Sequence, residues 1–238
     1  MKFIAVIPAR YDATRFPGKL MEKLGDSTVV VQTYKATINT GLFDEAIVAT
    51  DSDVIKKEIE SCKGKVIMTR ADHMSGTDRI AEAIESIDAD VIVNVQGDTP
   101  FINKKALSKL ITLFEDETVH VASLMDIISD EESLNDPNVV KVVVDKKGNS
   151  LLFSRSVIPY PRSSSPVIHY RHIGVYAFRK RVILEFTSWE MTPLEEAEKI
   201  ECLRFLENGI SLRMALTEPI GVDINTPEDL EKARLTFK

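Results

Sequence analysis

The sequence is poor in cysteine, lacks a basic excess and contains no long apolar run, and each shortage excludes a class of protein. Because only Cys62 and Cys202 occur among 238 residues, a disulfide-rich scaffold is excluded and two reduced, partly buried thiols are expected. The 30 basic and 37 acidic residues leave a net charge of −7, whereas nucleic-acid binders usually carry excess positive charge. No segment approaches a membrane span, which needs about 20 apolar residues. We therefore expect neither a nucleic acid nor a membrane as a partner.

The remaining composition is that of an ordinary globular protein, with 44% hydrophobic and 28% charged residues. Residues 1–8 are apolar, but the run is too short for the hydrophobic region of a signal peptide, so we expect no targeting segment. Because neither repeats nor a linker interrupt the chain, we predict one domain over residues 1–238 that includes a subdomain.

Strands and helices are predicted to alternate in the first half of the chain. Apolar runs typical of strands occupy residues 3–7, 46–49, 65–69 and 91–95. Apolar residues at helical spacing separate these runs, and Asn103 is expected to cap the helix after the last run. This alternation predicts an α/β fold with a mostly parallel sheet, in which ligands bind beyond the carboxyl ends of the strands. The loops at that edge cover residues 8–19, 50–53, 69–79 and 96–100.

The second half of the chain is predicted to be less regular. Strands are expected at 119–124, 139–144, 151–154 and 170–178, and helices at about 179–188 and 194–207. Residues 145–149 are typical of a hairpin turn, whereas residues 159–166 contain too much proline and serine for regular structure. A last helix is expected to begin at Thr226, which precedes Pro227 and two acidic residues in the favoured order.

Three cations follow the first strand within one loop, in a chain that is otherwise acidic. Arg10, Arg15 and Lys19, together with backbone N–H groups, would suit a triphosphate. The loop lacks the GxxxxGK[ST] pattern of a Walker A motif. The alternative is that each cation is a solvated surface charge, but their clustering favours an anion-binding site.

Acidic residues stand at loop positions where they would serve either a metal ion or the backbone. Asp98 follows the fourth strand and would hold Mg²⁺ or cap its own turn. Asp51 and Asp53 form a DxD pair similar to the metal site of GT-A glycosyltransferases, although Asp53 also suits the start of a helix. Asp223 would be a second carboxylate for the metal of Asp98, or a loop residue before the last helix.

Two further clusters combine polar residues with a helix or a strand. Residues 69–79 offer small and hydroxyl side chains at a helix start, which would cradle a base or ribose or simply cap the helix. Arg171, His172 and Tyr176 lie on one predicted strand, where a histidine is more often structural. The glutamates expected near one face of a helix, where such residues are more often solvated, are Glu195, Glu198 and Glu201.

A set of motifs spread along the chain carries more information than any single cluster. Their order is PARYDATRFPGK, IVATDSD, MTRADHMSGTDR, VNVQGDTP, NDPNVVK, FSRSVIPYPR, YRHIGVYAF, TPLEEAEKIECLR and GVDINTPEDLEKAR. Over nearly the whole chain they resemble the CMP-Kdo synthetases, the 3-deoxy-manno-octulosonate cytidylyltransferases of lipopolysaccharide synthesis. The resemblance implies a Rossmann-like, GT-A-like nucleotidyltransferase fold with a smaller dimerisation subdomain. It also implies a need for Mg²⁺, a cytoplasmic location and a homodimer.

The resemblance further implies a division of the chain and a role for each cluster. The nucleotide-binding part would cover about 1–118 and 210–238, and the sugar-binding and dimerisation part about 119–209. The residues implied in CTP binding are Arg10, Arg15, Lys19, Arg70, Ser75, Gly76 and Arg79. Those implied in holding the octulosonate sugar acid are Arg15, Gln96, His172, Tyr176 and Glu201, and those implied in holding Mg²⁺ are Asp98 and Asp223. The implied catalytic residues are Arg10, Lys19 and Asp98, and the implied products are the CMP-sugar and pyrophosphate.

Departures from the family pattern concern the metal site and the sugar. Thr99 replaces the glutamate of QGDEP, residues 163–165 replace a charged stretch, and Cys202 replaces a glutamine. The segment GVDINTPEDL is longer than the usual GVDTPEDL, so either Asp223 or Asn225 aligns with the metal ligand. We favour Asp223 because Mg²⁺ prefers a carboxylate.

These departures leave the exact sugar and some other functions open. An octulosonate altered at C8, such as 8-amino-Kdo, is an alternative to Kdo. A CMP-sialic acid synthetase and a GT-A glycosyltransferase that uses Asp51 and Asp53 are alternative enzymes. A module that binds a nucleotide but catalyses no reaction is a further alternative.

Overall fold

A nine-stranded sheet organises the fold of the computed structural model, which describes residues 1–12, 16–73 and 75–237. The strands are β1 (Phe3–Ala9), β2 (Lys23–Leu24), β3 (Ser27–Thr28), β4 (Glu45–Thr50), β5 (Lys65–Met68), β6 (Val91–Asn94), β7 (Val121–Ile127), β8 (Lys141–Val144), β9 (Ser150–Ser154), β10 (Tyr170–Arg179) and β11 (Leu212–Leu216). The helices are α1 (Val29–Ile38), α2 (Asp53–Ser61), α3 (Gly76–Ile84), α4 (Lys104–Thr112), α5 (Glu131–Asn135), α6 (Lys180–Phe186), α7 (Pro193–Glu198), α8 (Leu203–Glu207) and α9 (Pro227–Thr236). In the described ranges, no helix has the length and apolar character needed to cross a membrane.

The order β11-β7-β10-β6-β1-β4-β5 confirms the predicted, mostly parallel sheet. Parallel pairing joins β1 to β4 and β6, β4 to β5, and β7 to β11. Strand β10 runs antiparallel to both of its neighbours, β6 and β7. Its first residues also pair with β8, which forms the predicted hairpin with β9. The parallel strands therefore bring the carboxyl ends of β1, β4, β5 and β6 to one edge of the sheet.

Helices cover both faces of the sheet, as predicted, and β1 contributes to both cores. Ala5 and Ile7 pack in the core formed with α1, α2 and α4. Ile4 and Val6 pack in the core formed with α3, α6 and α8. This alternation explains the unbroken apolar sequence of the strand, since a strand buried on both faces needs no polar side chains. Strands β7 and β10 come from the predicted sugar-binding part, yet they lie in the same sheet, and the division into two parts stays a prediction.

Side-chain caps fix where the helices next to this edge begin. Ser75 accepts a hydrogen bond from the Asp78 N–H at 3.1 Å, and the Asp78 carboxylate accepts one from the Ser75 N–H at 3.1 Å. The predicted start of α9 is confirmed, because Thr226 and Asp229 form the same reciprocal cap. The predicted cap of α4 at Asn103 is also present. These caps set the lengths of the loops that precede α3 and α9.

The single helix predicted over residues 194–207 is wrong, because two helices, α7 and α8, replace it. Lys199 adopts a left-handed conformation with φ of 51° directly after α7 and ends it. The three glutamates therefore do not share one solvated face. Glu195 is bound by Arg204 of α8, Glu198 by Arg155 after β9, and Glu201 by Thr77 of α3. Their spacing carries no information about these partners, which lie on other elements.

Glu195→Ala is expected to lower the free energy of unfolding by about 3 kcal/mol, because it leaves the Arg204 guanidinium buried without its carboxylate. Arg204 donates to Glu195 from Nε at 2.7 Å and from Nη2 at 2.5 Å, and the two side chains are 12% and 6% exposed. Glu195 also closes the cap at the start of α7. Equilibrium urea denaturation measures the loss.

The matched control is Glu185→Ala, which breaks an exposed pair with Arg181 on α6. The Arg181 side chain is 82% exposed, so this variant should change the free energy of unfolding by less than about 0.5 kcal/mol. An equal loss of unfolding free energy in the two variants would contradict the view that burial determines how much an ion pair contributes to stability.

Candidate active site

Lys19 joins three chain segments at the carboxyl edge of the sheet. Its ammonium group contacts the carboxylate of Asp98, which follows β6. It also donates to the Ile224 carbonyl at 2.9 Å, and the Ile224 N–H donates to the Asp98 backbone carbonyl at 3.0 Å. The Lys19 and Asp98 side chains are 13% and 18% exposed, so water still reaches the pair. We call this arrangement of Lys19, Asp98 and Ile224 the Lys19 junction.

Asp223 lies close to the Lys19 junction, as the predicted metal site requires. Enclosure by the surrounding protein and the negative charge of Asp98 raise the pKa of Asp223 to about 6. A hydrogen bond from Thr99 and the positive charges of Arg171 and Lys19 lower it, but they do not overcome the first two effects. Two carboxylates that repel each other in this way are suited to a divalent cation.

The carboxylates at this edge fit Mg²⁺ better than a metal held by protein ligands alone. Among the residues that the structure describes, no group of three or more His, Cys, Asp or Glu side chains forms a metal site. Mg²⁺ does not require one, since it commonly binds one or two carboxylates together with water and substrate phosphates. Asp98 and Asp223 provide such a pair. Asp223 is favoured over Asn225 as the ligand because its carboxylate carries a negative charge and lies close enough to Asp98 for the two to interact.

Among the described residues, Arg10 is held by a carbonyl group rather than by a carboxylate. Its Nη2 donates to the His73 carbonyl at 2.5 Å. Burial and the nearby charge of Arg79 lower the pKa of Arg10, although a guanidinium stays protonated in proteins. The carboxylates that act in the opposite direction are Asp51, Asp78 and Glu201. Arg10 therefore keeps its positive charge, while Arg15 lies outside the described residues.

Arg79 lies beneath the loop between β5 and α3 rather than on an open cavity wall. Its side chain is fully buried, contacts the Thr69 hydroxyl and lies 3.2 Å from the Asp51 carboxylate. Its Nε has no hydrogen-bond partner in the described part of the chain. In this conformation Arg79 supports the loop, so its predicted contact with CTP would need the loop to open and stays a prediction.

The Asp51 and Asp53 pair does not form the metal site of a GT-A glycosyltransferase. Asp51 faces the buried guanidinium of Arg79. Asp53 lies in the first turn of α2, where its charge favours the helix N-terminus. The two carboxylates therefore serve different structural partners, and the structural interpretation of Asp53 is the correct one.

The other residues predicted to bind the nucleotide lie on both sides of the loop between β5 and α3. Ser75 caps α3, and a Cβ added at Gly76 would lie 3.4 Å from Pro8 Cγ, so the first turn of α3 packs on the end of β1. Arg70 is exposed, and its Nε lies 3.5 Å from Glu82 on the other side of the loop. The structure thus brings Ser75 and Gly76 towards the Lys19 junction but not Arg70.

A cavity of about 930 Å³, which we call the sugar cavity, contains three of the residues predicted to bind the sugar. These residues are His172, Tyr176 and Glu201, and Asp223 lines the same cavity. The wall also includes polar and charged residues that were not predicted as ligands, among them Asn138, Arg155, Arg171 and Lys199. Gln96 is not part of the wall, and its side-chain nitrogen lies 3.3 Å from Asn94 Oδ1. A cavity of this size is typical of a small-molecule site.

An irregularity in β10 brings His172 and Tyr176 together. In a regular strand, the Cα atoms of two residues four positions apart are separated by about 13 Å. Here the register with β7 shifts between Ile173 and Tyr176, and the two ring centres are only 5.3 Å apart. Ser123 of β7 supports the bulge, since its hydroxyl lies 3.1 Å and 2.9 Å from the carbonyls of Ile173 and Val175. The bulge thereby places two polar rings side by side in the sugar cavity.

His172 is neutral at physiological pH. Burial lowers the pKa of His172 from its ordinary value of 6.5 to about 4. Its Nε2 lies 3.0 Å from the Ser123 hydroxyl, whose hydrogen is directed to the backbone carbonyls of β10. The hydroxyl oxygen therefore accepts from the Nε2–H of a neutral ring. Phe153 packs edge-on against this ring with centres 4.9 Å apart, so aromatic packing adds to its fixed orientation.

Glu201 and Tyr176 link the sugar cavity to neighbouring elements. The Glu201 carboxylate accepts a hydrogen bond from the Thr77 hydroxyl of α3. Burial raises the pKa of Glu201, whereas hydrogen bonds from Thr77 and Ser75 lower it. Burial also raises the pKa of Tyr176, whose hydroxyl lies next to the Cys202 thiol. Glu201 therefore touches both the cavity and the helix start that is predicted to contact the nucleotide.

Arg171 is a cavity residue that was grouped with His172 in the sequence but given no role there. Its Nε donates to Asp126 Oδ1 at 2.9 Å, and its Nη2 contacts the other carboxylate oxygen. Asp126 is fully buried, so this pair fixes the guanidinium at the cavity wall. The sequence signal for it is weak, because Asp126 lies 45 positions away.

Acidification is expected to lower the free energy of unfolding through His172. The unfolded chain takes up this proton near pH 6.5, whereas the folded chain takes it up only near pH 4. Between these values the unfolded state binds more protons, so the loss grows as the pH falls and reaches at most about 3 kcal/mol. Urea denaturation of the wild type and of His172→Gln between pH 7 and pH 4 isolates this part of the pH dependence. An NMR titration in which the His172 ring protonates near pH 6.5 would contradict the assignment.

Comparison with known proteins agrees with the fold and identifies the family. A family model described as cytidylyltransferase matches residues 4–216. The 3-deoxy-manno-octulosonate cytidylyltransferase of Flavobacterium johnsoniae is 52% identical over 242 aligned residues, covering 100% of this chain and 99% of that protein. The protein of the same name from Christiangramia forsetii is 50% identical and covers 98% of this chain and 96% of its own.

A solved structure shows the same architecture. The CMP:2-keto-3-deoxy-manno-octonic acid synthetase complexed with CTP matches with a TM-score of 0.95 at 36% identity, covering 99% of this chain and 98% of that one. These similarities confirm the predicted nucleotidyltransferase fold. The chain belongs to the cytidylyltransferase family, within the group of 3-deoxy-manno-octulosonate cytidylyltransferases, or CMP-Kdo synthetases.

Proposed function

We propose that the protein transfers a cytidylyl group from CTP to the anomeric hydroxyl of a 3-deoxy-octulosonate sugar acid and releases pyrophosphate, as a step in lipopolysaccharide biosynthesis. The observation that carries the proposal is the position of the carboxylate pair Asp98 and Asp223, beside Lys19 and in contact with the sugar cavity. A cation and two carboxylates suit a metal–phosphate centre, and a polar cavity suits a polyhydroxylated acid. Relatives that are named for this activity support it.

The nucleotide would bind at the carboxyl edge of the sheet. Arg10 and Lys19 are the cations for the phosphates of CTP, and Arg15 is predicted to join them. Both cations would stabilise the charge that develops on the leaving pyrophosphate. Ser75 and Gly76 would line the nucleotide site from the first turn of α3. Fixed positions for both reactants remove much of the barrier, of which about 7–11 kcal/mol can come from orientation.

Asp98 and Asp223 are the proposed ligands of Mg²⁺. When bound, Mg²⁺ supplies positive charge to the phosphate oxygens and makes a nearby hydroxyl easier to deprotonate. The two carboxylates come from different loops, and the Lys19 junction holds the first loop against the segment before α9. They would therefore hold the nucleotide phosphates on one side and the sugar on the other.

The sugar acid would occupy the sugar cavity. His172, Tyr176 and Glu201 offer a neutral ring, a hydroxyl and a carboxyl group for sugar hydroxyls. Gln96 would have to turn from Asn94 towards the cavity to join them. Kdo is the proposed substrate and 8-amino-Kdo the alternative. A CMP-sialic acid synthetase remains the alternative for a nine-carbon acid.

The family resemblance also implies a homodimer and a cytoplasmic location, which stay predictions. Exposed large apolar side chains within the predicted dimerisation part support a contact with a second copy. Leu151 of β9 is 62% exposed, and Tyr160 and Ile168 beyond this strand are 81% and 57% exposed. Burial of these side chains against a second copy would remove their apolar surface from water.

Pyrophosphate release from CTP and Mg²⁺ is the experiment that tests the proposal, with Kdo, 8-amino-Kdo and N-acetylneuraminate offered in parallel. We expect release with an octulosonate and little release with the nine-carbon acid, because the chain belongs to the CMP-Kdo synthetase group. Release only with N-acetylneuraminate would overturn the proposed substrate class. CTP binding without release with any sugar would favour a non-catalytic nucleotide-binding module.

Asp98→Asn is expected to reduce pyrophosphate release at least about 100-fold, since it removes a proposed metal ligand and the charged partner of Lys19. The fold should persist, because the side chain is partly exposed. Calorimetric titration with Mn²⁺ in the presence of CTP should show weaker metal binding. Asp53→Asn is the matched control at a structural carboxylate and should leave release and metal binding unchanged. Near-normal release by Asp98→Asn would rule out the metal assignment.

A further inference from the structure

A second cavity, of about 840 Å³, lies between α3 and α6 and borders the loop between β5 and α3. We call residues 69–75, which connect these two elements, the β5–α3 loop. The cavity wall includes Arg70, His73 and Glu82, together with Glu85. The backbone carbonyl of His73 accepts a hydrogen bond from Arg10. The second cavity is therefore lined by a residue in contact with a proposed phosphate-binding cation.

Glu82 of α3 bonds to the β5–α3 loop at several points. Its two carboxylate oxygens accept from the Arg70 N–H at 3.3 Å and 3.2 Å. Its Oε2 also contacts Nε2 of His73 and lies 3.5 Å from Nε of Arg70. Backbone and side chain of the loop are thus attached to the Glu82 carboxylate, which lies in the second turn of the capped helix α3.

His73 connects Glu82 to Arg10. Its imidazole is almost buried, with 6% of the side chain exposed, and it bonds to Glu82 on one side. Its backbone carbonyl accepts from Arg10 Nη2 at 2.5 Å on the other. A displacement of His73 would therefore move the acceptor that orients the guanidinium.

The surroundings of Arg10 explain why such an acceptor is needed. Asp51, Asp78 and Glu201 are close enough to act on its charge. A guanidinium without the His73 carbonyl would turn towards one of these carboxylates, which would compete with a phosphate group. Hydrogen bonds from His73 and Arg70 lower the pKa of Glu82, although burial acts in the opposite direction. Glu82 is therefore ionised and able to hold the loop at neutral pH.

We propose that Glu82 is a positioning residue for nucleotide binding, which acts through His73 to hold the carbonyl that orients Arg10 towards the CTP phosphates. The inference rests on the proposed function, because that function gives Arg10 its role on the phosphates. Glu82 itself need not touch the nucleotide. Its effect should consequently appear in the affinity for CTP and not in the affinity for the sugar.

Glu82→Ala is expected to raise the Kd of CTP, measured by calorimetry, and the KM of CTP by about tenfold, the usual effect of losing hydrogen bonds to a charged group. The KM of the sugar should change less than about twofold. Glu82→Gln should lie between the wild type and Glu82→Ala, because its amide oxygen still accepts from the Arg70 N–H. Glu85→Gln is the matched control, since Glu85 lies on the same cavity wall at the end of α3 and should leave the Kd of CTP unchanged.

A double-mutant comparison separates positioning from a general loss of structure. In an Arg10→Ala background, Glu82→Ala should add little to the Kd of CTP, because the residue it positions is gone. Full additivity, an equal rise in the KM of the sugar, or an unchanged Kd of CTP in Glu82→Ala would overturn the inference. If Glu82→Ala unfolds, His73→Gln, which removes only the imidazole link, takes its place in the same comparison.

The wild-type protein distinguishes failure of this inference from failure of the proposed function. Wild type that releases pyrophosphate while Glu82→Ala binds CTP normally would overturn only the role of Glu82. Wild type that binds no CTP would overturn both. Wild type that binds CTP but releases no pyrophosphate would overturn the proposed reaction, and the calorimetric comparison of Glu82→Ala would then decide the role of Glu82 alone.

Discussion

The ion pair between Lys19 and Asp98 is the interaction on which the rest of the active site depends. The two residues are 79 positions apart, and Lys19 lies 205 positions from Ile224, whose carbonyl it also binds. Parallel pairing of β1 with β6 brings the first two loops to the same edge of the sheet, and one ammonium group then fixes them to the segment before α9. The same contact offsets part of the repulsion between Asp98 and Asp223. A single side chain thus determines both the geometry and the charge of the centre.

The antiparallel strand β10 is the second constraint, because it converts a nucleotide-binding sheet into one with a sugar cavity. A parallel strand in its place would end at the carboxyl edge and offer only its last residues to a ligand. Strand β10 instead passes from the cavity into the sheet, and its bulge places His172 and Tyr176 side by side. The carbonyls released by the bulge are not left unpaired, since the buried hydroxyl of Ser123 serves them. The proposed sugar-binding residues and the sheet pairing are therefore combined on the ten residues of β10.

Features encoded by neighbouring residues could be predicted from the sequence, whereas features that depend on distant partners could not. The apolar run of β1 and the Thr226 cap of α9 are local patterns, and both are confirmed. The left-handed Lys199 has no local signal, because lysine rarely adopts that conformation, and the predicted helix was too long as a result. Arg79 of α3 follows a loop whose small polar residues suggest a ligand site, but its side chain is buried against Asp51, 28 positions away in the chain at the end of another strand. Strand β11 was not predicted, because its apolar pattern is short and the strand is recognised only by its pairing with β7.

The way the arginines are paired explains how an acidic chain with a net charge of −7 could offer a cation to the phosphates at the proposed nucleotide site. Arg79, Arg171 and Arg204 each face a carboxylate, so their charges are compensated inside the protein. Arg10 is held by the His73 carbonyl, which orients the guanidinium without neutralising it. A carbonyl leaves the charge of Arg10 uncompensated for the proposed phosphate contact, whereas Lys19 is paired with the Asp98 carboxylate. The acidic residues near Arg10 are in turn engaged elsewhere: Asp78 in the cap of α3, Asp51 with Arg79 and Glu201 with Thr77. The proposed phosphate contact of Arg10 therefore depends on the partner of this one guanidinium and not on an excess of basic residues in the chain.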